Sequence, residues 1–471
     1  MINRILCSML SFYLMTGTSI VLAEQRLPIK NLVLIIGDGM DDQQITLARN
    51  YLEGVQGRLN LDRLPVRSAV QVLSVADSDP EKVVYVADSA NSATAIATGQ
   101  VTSRGRIGTS AGDDRDLVSI IDLAEKAGLK TGIVTTASIT DATPASFIAK
   151  VKQRECENPT MMVEALYHDR KPVDCSSDTK NKGGAGSIAE QIADSDVDLF
   201  LGGGQQHFDH LSEGKKQTVL ESAESNGFYF LNKTSELNDL PVKKKVLGLF
   251  AETHLPESWS FKDNREAEKP DPSMLNYVHR YLGSVELPEP VECGVNPEYG
   301  DTPTLSQMTA AALKHLSNDN QKANDNQKGF FLMIESASID KASHRRRTCG
   351  QLGEVKQLTE ALDQALAFAE KNSDTLILVT ADHGQAAQLV PDTSIFAGFD
   401  LPFYTPGYLV RVKTPEGSVM AVNYATNTLF AEEHTGVNVP LFANKTGLGK
   451  VPAMVSQPEL FDLMTEHLNL R

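Results

Sequence analysis

Leu32-Val33-Leu34-Ile35-Ile36-Gly37-Asp38-Gly39 is the stretch that decides how the chain is read. An unbroken aliphatic run has no polar face, so it reads as a strand buried on both sides. Gly37-Asp38-Gly39 then turns it into a loop, and ligands in α/β sheets sit at such strand ends. Similar runs recur at 131–136, 198–201, 330–334 and 376–379. Helical patterns, such as 116–127 and 354–371, separate most of them. This alternation predicts an α/β fold with a large, mostly parallel central sheet sandwiched between helices.

Composition narrows the function. The chain has 471 residues, 41% of them apolar, 22% charged, with a formal net charge of -17. That suits a large globular protein. It argues against a sequence-independent nucleic-acid binder, which needs a positive surface. An anionic substrate stays open, because bound metal ions reverse a local field. Residues 1–23 read as a cleavable export signal: Arg4 gives the positive end, an apolar stretch follows, and Val21-Leu22-Ala23 offers small residues for cleavage. No later run is long and apolar enough to span a bilayer. The expected location is the periplasm, or the exterior where the host has no outer membrane. Cys7 leaves with the signal, so Cys156, Cys175, Cys293 and Cys349 remain, a set that favours disulfides in an exported chain. Three pairings are possible; local closure, Cys156–Cys175 and Cys293–Cys349, is the one expected.

The candidate chemistry is dispersed. Ser89, in Asp88-Ser89-Ala90-Asn91-Ser92-Ala93, lies where a strand-like stretch gives way to a small-residue helix stopped by Gly99. A helix N-terminus favours an anion, although Asp88 or Ser89 can equally be a plain cap. Asp340 and His344 are four apart, on one face of a helical turn, and can share a metal or form an ion pair. Asp382-His383 end an apolar strand. His434 can complete a set with Asp340 and His344. Asp141 and Thr143 are two apart, which on extended backbone points them to one side. Glu335 ends the strand at 330–334, where a charge needs a partner. Asp38, Thr143 and Glu335 offer only oxygen and suit Mg²⁺, whereas the imidazole-containing sets suit Zn²⁺. Arg154 can fork onto phosphate oxygens or be a solvated turn. Lys341 is a site cation or a simple ion pair. The remaining segments read as periphery: the repeated NDNQK at 318–328 as a solvated loop, 256–300 as surface decoration, and 391–418 as an insert over the site. Ser456-Gln457-Pro458-Glu459 reads as a capping box opening a structural helix.

Taken together, the GDGM loop, DSANSATA, DATP with Arg154 thirteen residues on, IESASIDKxxH, TADH and EHTG closely resemble the alkaline phosphatase family, in particular its bacterial periplasmic members. The resemblance runs from about residue 30 to the end. It implies a single catalytic domain over 24–471, with a small crown-like insert at about 391–418. It also implies a homodimer, with phosphate monoesters as substrates and a phosphoserine intermediate on Ser89. Asp340, His344 and His434 match one zinc site; Asp382 and His383, with Asp38 and Ser89, match the second. Asp38, Thr143 and Glu335 match a magnesium site, giving two Zn²⁺ and one Mg²⁺ per subunit. Asp141 and Lys341 match positions that reach magnesium and phosphate through water, and Arg154 the phosphate clamp. Asp41 departs from the family, which usually has Gly there; its carboxylate is expected either to perturb the metals or to face solvent. Arg345-Arg346-Arg347 reads as a solvated run or as a basic rim that draws in substrate. A diesterase or sulfatase relative and an inactive metal-holding phosphate binder are the alternatives. Ser89 lacks the Cys/Ser-x-Pro-x-Arg setting of a sulfatase, and the intact ligand set argues against inactivity.

Overall fold

A computed structural model describes residues 30–470 except 164, 167–171, 264, 280–281, 319–328 and 393–406. The export signal and almost all of the NDNQK repeat lie outside the described residues.

The run at 32–36 forms the middle of β1 (Asn31–Gly37), every residue of which is buried. It is one of ten strands in a single sheet. In chain order the others are β2 (Val66–Gln71), β3 (Lys130–Ser138), β4 (Leu199–Gly203), β5 (Phe228–Leu231), β6 (Lys245–Leu249), β7 (Phe330–Ser336), β8 (Thr375–Ala381), β9 (Val439–Ala443) and β10 (Met454–Ser456). The spatial order is β10-β2-β9-β8-β1-β7-β3-β4-β6-β5. Only β9 runs antiparallel to its neighbours. A mostly parallel sheet buried on both faces needs apolar residues at successive positions, and β1, β7 and β8 supply them at the centre.

Helices cover the sheet, and their ends carry the local signals. α1 (Asp42–Glu53) starts at the Asp41 cap. α2 (Ser89–Thr98) stops at Gly99, whose φ of 72° suits glycine. α3 (Ala142–Ser146) is a single short turn. α4 (Ser338–His344) follows β7 directly, and α5 (Thr348–Lys371) packs along it. α6 (Gln457–His467) opens on the expected capping box, with Ser456 N–H donating to Glu459 Oε2 at 2.6 Å. Its Gln457 side chain also donates to the Asp382 carbonyl at 2.6 Å, so this structural helix braces the strand end that carries the chemistry.

Segment 256–300 is more than decoration. Trp259–Phe261 pairs with Cys293–Val295, and Glu257, Ser260 and Glu266 wall a cavity beside α4. In the region of the expected insert, Tyr408–Lys413 and Val419–Tyr424 join Gln388–Val390 in a separate three-stranded antiparallel sheet. The sheet runs past the expected boundary at 418; residues 393–406 of the insert lie outside the described set.

Both expected disulfides are formed, Cys156–Cys175 and Cys293–Cys349. The second ties the decorated segment to α5. Non-reducing peptide mapping is expected to recover these two linkages; a Cys175–Cys293 peptide would contradict the fold as described. In the core, Leu34→Ala, at a fully buried position of the central strand, is expected to cost about 3 kcal/mol, read as a lower urea midpoint.

Candidate active site

The site is built on three adjacent strand ends. Pairing sets Ile36 beside Glu335 and Gly37 beside both Ser336 and Ala381. Asp38, Glu335 and Asp382 therefore emerge at one level. β7 runs through Ser336 and α4 begins two residues later, which places Asp340 and His344 over the same edge. His434 arrives on the loop before β9.

Distances show the convergence. Asp340 Oδ2 is 3.2 Å from His344 Nε2, and Asp340 Oδ1 is 3.4 Å from His434 Nε2. The two Nε2 atoms are 3.0 Å apart. His383 Nε2 lies 3.3 Å from Asp382 Oδ2 and 3.5 Å from Asp38 Oδ1. Ser89 Oγ is 3.1 Å from the same nitrogen. All three rings are oriented by carbonyls at Nδ1: His344 by Glu432, His383 by Gly384 at 3.2 Å, and His434 by Ala87 at 2.9 Å. Each contact directs Nε2 of its ring into the cluster, the arrangement that metal-binding imidazoles take.

Ser89 is the first residue of α2 and is 3% exposed. The cap is Asp88, which trades hydrogen bonds with Asn91 and accepts from Gly105 N–H. Capping by Asp88 leaves the Ser89 hydroxyl directed at His383. Arg154 is no solvated turn. Its guanidinium donates to Asp141 Oδ1 at 3.0 Å and lies 3.6 Å from Asp88 Oδ2. Lys341 takes the other oxygen of Asp141 at 2.5 Å. Lys341 is thus both a site cation and an ion-pair member, although its partner is Asp141 and not the flanking Asp340.

One geometric expectation is overturned. Asp141 is extended, but Thr143 is helical, so the two do not lie on one extended run. Asp141 caps α3 and Thr143 is its second residue. Asp141 caps the turn, its Oδ1 accepting from Ala142 N–H at 2.8 Å. No hydrogen bond joins Thr143 to Asp38 or Glu335 among the described residues; its hydroxyl is buried without a partner.

The electrostatics state the site's need. Asp38, Glu335, Asp340 and Asp382 are 2%, 1%, 4% and 0% exposed. In the polypeptide alone, burial pushes the Asp38 carboxyl well above its usual range, helped by Asp382 and Asp340. Burial also lifts Glu335 to about 8, with Asp141 adding to it. Burial works against Asp340, yet His344 and His434 hold it well below the carboxylate range. Asp38 Oδ1, Asp382 Oδ2 and Thr143 Oγ1 are buried without hydrogen-bond partners. Orphaned carboxylate oxygens facing imidazole nitrogens are a costly arrangement unless cations join them. The donor types fit: nitrogen-plus-carboxylate sets for Zn²⁺ at Asp340–His383–His434 and Asp38–Asp382–His383, and an oxygen set for Mg²⁺ at Asp38, Thr143 and Glu335.

One support, Gln385, escaped the sequence reading, and Asp41, singled out there, takes neither a place among the metal ligands nor one in solvent. Gln385, fully buried, donates from Nε2 to Asp340 Oδ1 at 2.5 Å. Asp41 holds the Gln385 backbone, its Oδ2 accepting from Gln385 N–H at 3.4 Å while Oδ1 accepts from Gln43 N–H at 2.7 Å. Asp41 is therefore buried and does not face solvent, and burial lifts its pKa to about 6. For Gln385 the sequence signal was a glutamine two residues after His383 in a run of small residues.

Comparisons with known proteins give the family and the fold. Residues 29–438 match the alkaline phosphatase family profile. The chain is 36% identical to the alkaline phosphatase of Escherichia coli K12, over 94% of this chain and 87% of that one. It is also 36% identical to streptomycin-6-phosphate phosphatase of Streptomyces griseus, over 94% and 91%. Its fold is shared with the solved alkaline phosphatase of the Antarctic bacterium TAB5, with a TM-score of 0.66, 23% identity, and 94% and 100% of the two chains covered. The site and fold define a metal-dependent phosphate monoester hydrolase. The chain belongs to the alkaline phosphatase family, whose metals are Zn²⁺ and Mg²⁺.

Gln385→Ala is expected to weaken Zn²⁺ retention by about 10-fold, since a group orienting a metal ligand is worth that much or more. Competition with a chromophoric chelator measures it; undiminished retention would show that the Asp340 contact does not position the ligand.

Proposed function

We propose that Ser89 is the nucleophile of a two-step phosphate monoester hydrolysis. The observation that carries this reading is the Ser89 hydroxyl 3.1 Å from His383 Nε2, inside the cluster of orphaned carboxylates. Asp340, His344 and His434 would hold one Zn²⁺. Asp38, Asp382 and His383, with the Ser89 oxygen, would hold the other. Asp38, Thr143 and Glu335 would hold Mg²⁺, with Asp141 and Lys341 ordering the water around it. When bound, such ions lower the pKa of a coordinated oxygen and offset charge on the reacting oxygens.

The polypeptide does the rest. Ser89 Oγ attacks phosphorus in line, its bond to phosphorus forming as the alkoxide leaves. Water then cleaves the phosphoserine, returning the serine hydroxyl and releasing inorganic phosphate. Arg154 presents a planar fork to two non-bridging oxygens, which favours a monoester dianion over a diester. Asp141 stands between Arg154 and Lys341 and aims both. The first turn of α2 adds N–H groups and its dipole. These contacts grip the phosphoryl group and not the alcohol, so a broad range of esters is part of the proposal.

The same reading includes one catalytic domain over 24–471 with an insert at about 391–418, export to the periplasm, and a homodimer. Family membership and the two disulfides support export. Among the described residues no helix is long and apolar enough to cross a membrane.

Ser89→Ala is expected to keep phosphate binding and lose roughly a thousandfold or more in kcat. Acid-trapped phosphoserine at residue 89 should vanish with it; full turnover by the variant would end the assignment. Chelation should abolish activity, and Zn²⁺ plus Mg²⁺ should restore it. Turnover that survives exhaustive demetallation would contradict the metal reading.

A further inference from the structure

The triple arginine after His344 does three different things. Arg346 is buried, donates to Glu432 Oε1 at 2.6 Å and to the Leu429 carbonyl at 2.7 Å, and covers the Tyr408 ring at 3.7 Å. Arg347 donates to Glu266 Oε1 at 3.0 Å. Arg345 is exposed, and no hydrogen bond or ion pair engages its side chain among the described residues. The run is therefore neither a solvated tract nor a continuous rim. It presents one free guanidinium, one helical turn beyond Lys341.

That guanidinium lines a cavity of about 510 Å³. Lys341, His254 and Ser338 share its wall, and Lys341 links it to the phosphate clamp through its ion pair with Asp141. His254 is neutral, because burial and then Lys341 push its pKa down to about 3. Ser138 N–H donates to its Nδ1 at 3.0 Å, which leaves the ring proton on Nε2 as a donor. The opposing carboxylates are weakened. Burial lifts Glu257 to about 7, and Glu266 is taken by Arg347. Glu298 is exposed to solvent. Glu257 Oε1 is buried there without a hydrogen-bond partner, and against it the Arg345 guanidinium and the His254 Nε2–H are the donors left to receive a second anion.

We propose that this cavity is a subsite for a second anionic group, carboxylate or phosphate, on the alcohol portion of the ester, with Arg345 as its specificity-determining residue. The proposal rests on the reading of Ser89 and Arg154 as a phosphomonoesterase centre. It selects among monoesters: those with a second negative group a few bonds from the scissile oxygen are the preferred class.

The test uses the holoenzyme with Zn²⁺ and Mg²⁺ and three esters of matched chain: n-butyl phosphate, 4-phosphooxybutyrate and butane-1,4-diyl bisphosphate. Work at about 0.15 M ionic strength confines exposed charges to a Debye length of about 8 Å, which suppresses long-range steering. The expected result is a higher kcat/KM for at least one doubly charged ester than for n-butyl phosphate. That ratio should fall by about 5-fold or more in Arg345→Gln and recover in part in Arg345→Lys. A fall confined to the carboxylate or to the bisphosphate identifies which group the subsite takes, and either supports it. Ratios unchanged in Arg345→Gln for both esters would overturn the proposal. Failure of the wild type to hydrolyse n-butyl phosphate would instead strike the phosphomonoesterase reading. In that case, dissociation constants of the same three esters for Ser89→Ala and Ser89→Ala/Arg345→Gln decide the subsite without turnover, and equal discrimination in the two would sink it.

Discussion

Four carboxylates, Asp38, Glu335, Asp340 and Asp382, are taken out of water within one small volume. Like charges at such range in a low dielectric cannot all stay ionised without cations. Lys341 and Arg154 are the fixed cations nearest, and both are engaged by Asp141. The protein alone therefore leaves the cluster short of positive charge. That shortage is the constraint from which the rest follows. It selects divalent metals as partners, and it makes the site an anion trap only once they are bound.

The sheet exists to impose that crowding. Parallel strands put all their C-terminal ends on one edge, so β1, β7 and β8 deliver Asp38, Glu335 and Asp382 at one level. Every residue of these strands is buried. Hydrophobic burial at roughly 25 cal/mol per Å² over so many side chains is the term large enough to hold unfavourable polar ends in place. Backbone contacts then remove slack. Gly39 N–H donates to Asp382 Oδ1 at 3.0 Å, which ties the loop after β1 to the end of β8. Gln457 and Gln385 brace Asp382 and Asp340 from behind.

Much of this was legible in the chain. Continuous aliphatic runs announce buried strands, and an Asp that follows one directly has few positions open to it, so Asp38, Asp382 and His383 fell where expected. Asp340 and His344 followed from helical spacing. The shared face of Asp141 and Thr143 did not, because Thr143 lies in a five-residue helix that carries too little periodicity to be told from extended backbone. The burial of Arg154 was hidden for a different reason. Its partners Asp88 and Asp141 lie 66 and 13 residues away in sequence, and only the fold brings them together. Gln385 and Asp41 were opaque for the same reason: support for a metal ligand is defined by what stands behind it. Arg345-Arg346-Arg347 shows the limit most plainly. Three identical neighbours have three fates, since the chain turns through the left-handed region at Arg346, with φ of 58°, and sends successive side chains to different surroundings.

A molecule of net charge -17 must nevertheless receive dianionic esters. The two facts are compatible because range separates them. At physiological ionic strength exposed charges are screened beyond about 8 Å, so the global surplus sets solubility and weak long-range repulsion. Inside the site the relevant charges are few, close and poorly screened. In the proposed mechanism Arg154, Lys341 and the metal-binding set hold the phosphate. Arg345, in the wall of the neighbouring cavity, is the proposed contact for what the phosphate is attached to. In a protein this acidic, one cation left free beside the clamp has more influence on which ester is held than many additional charges distributed over the distant surface.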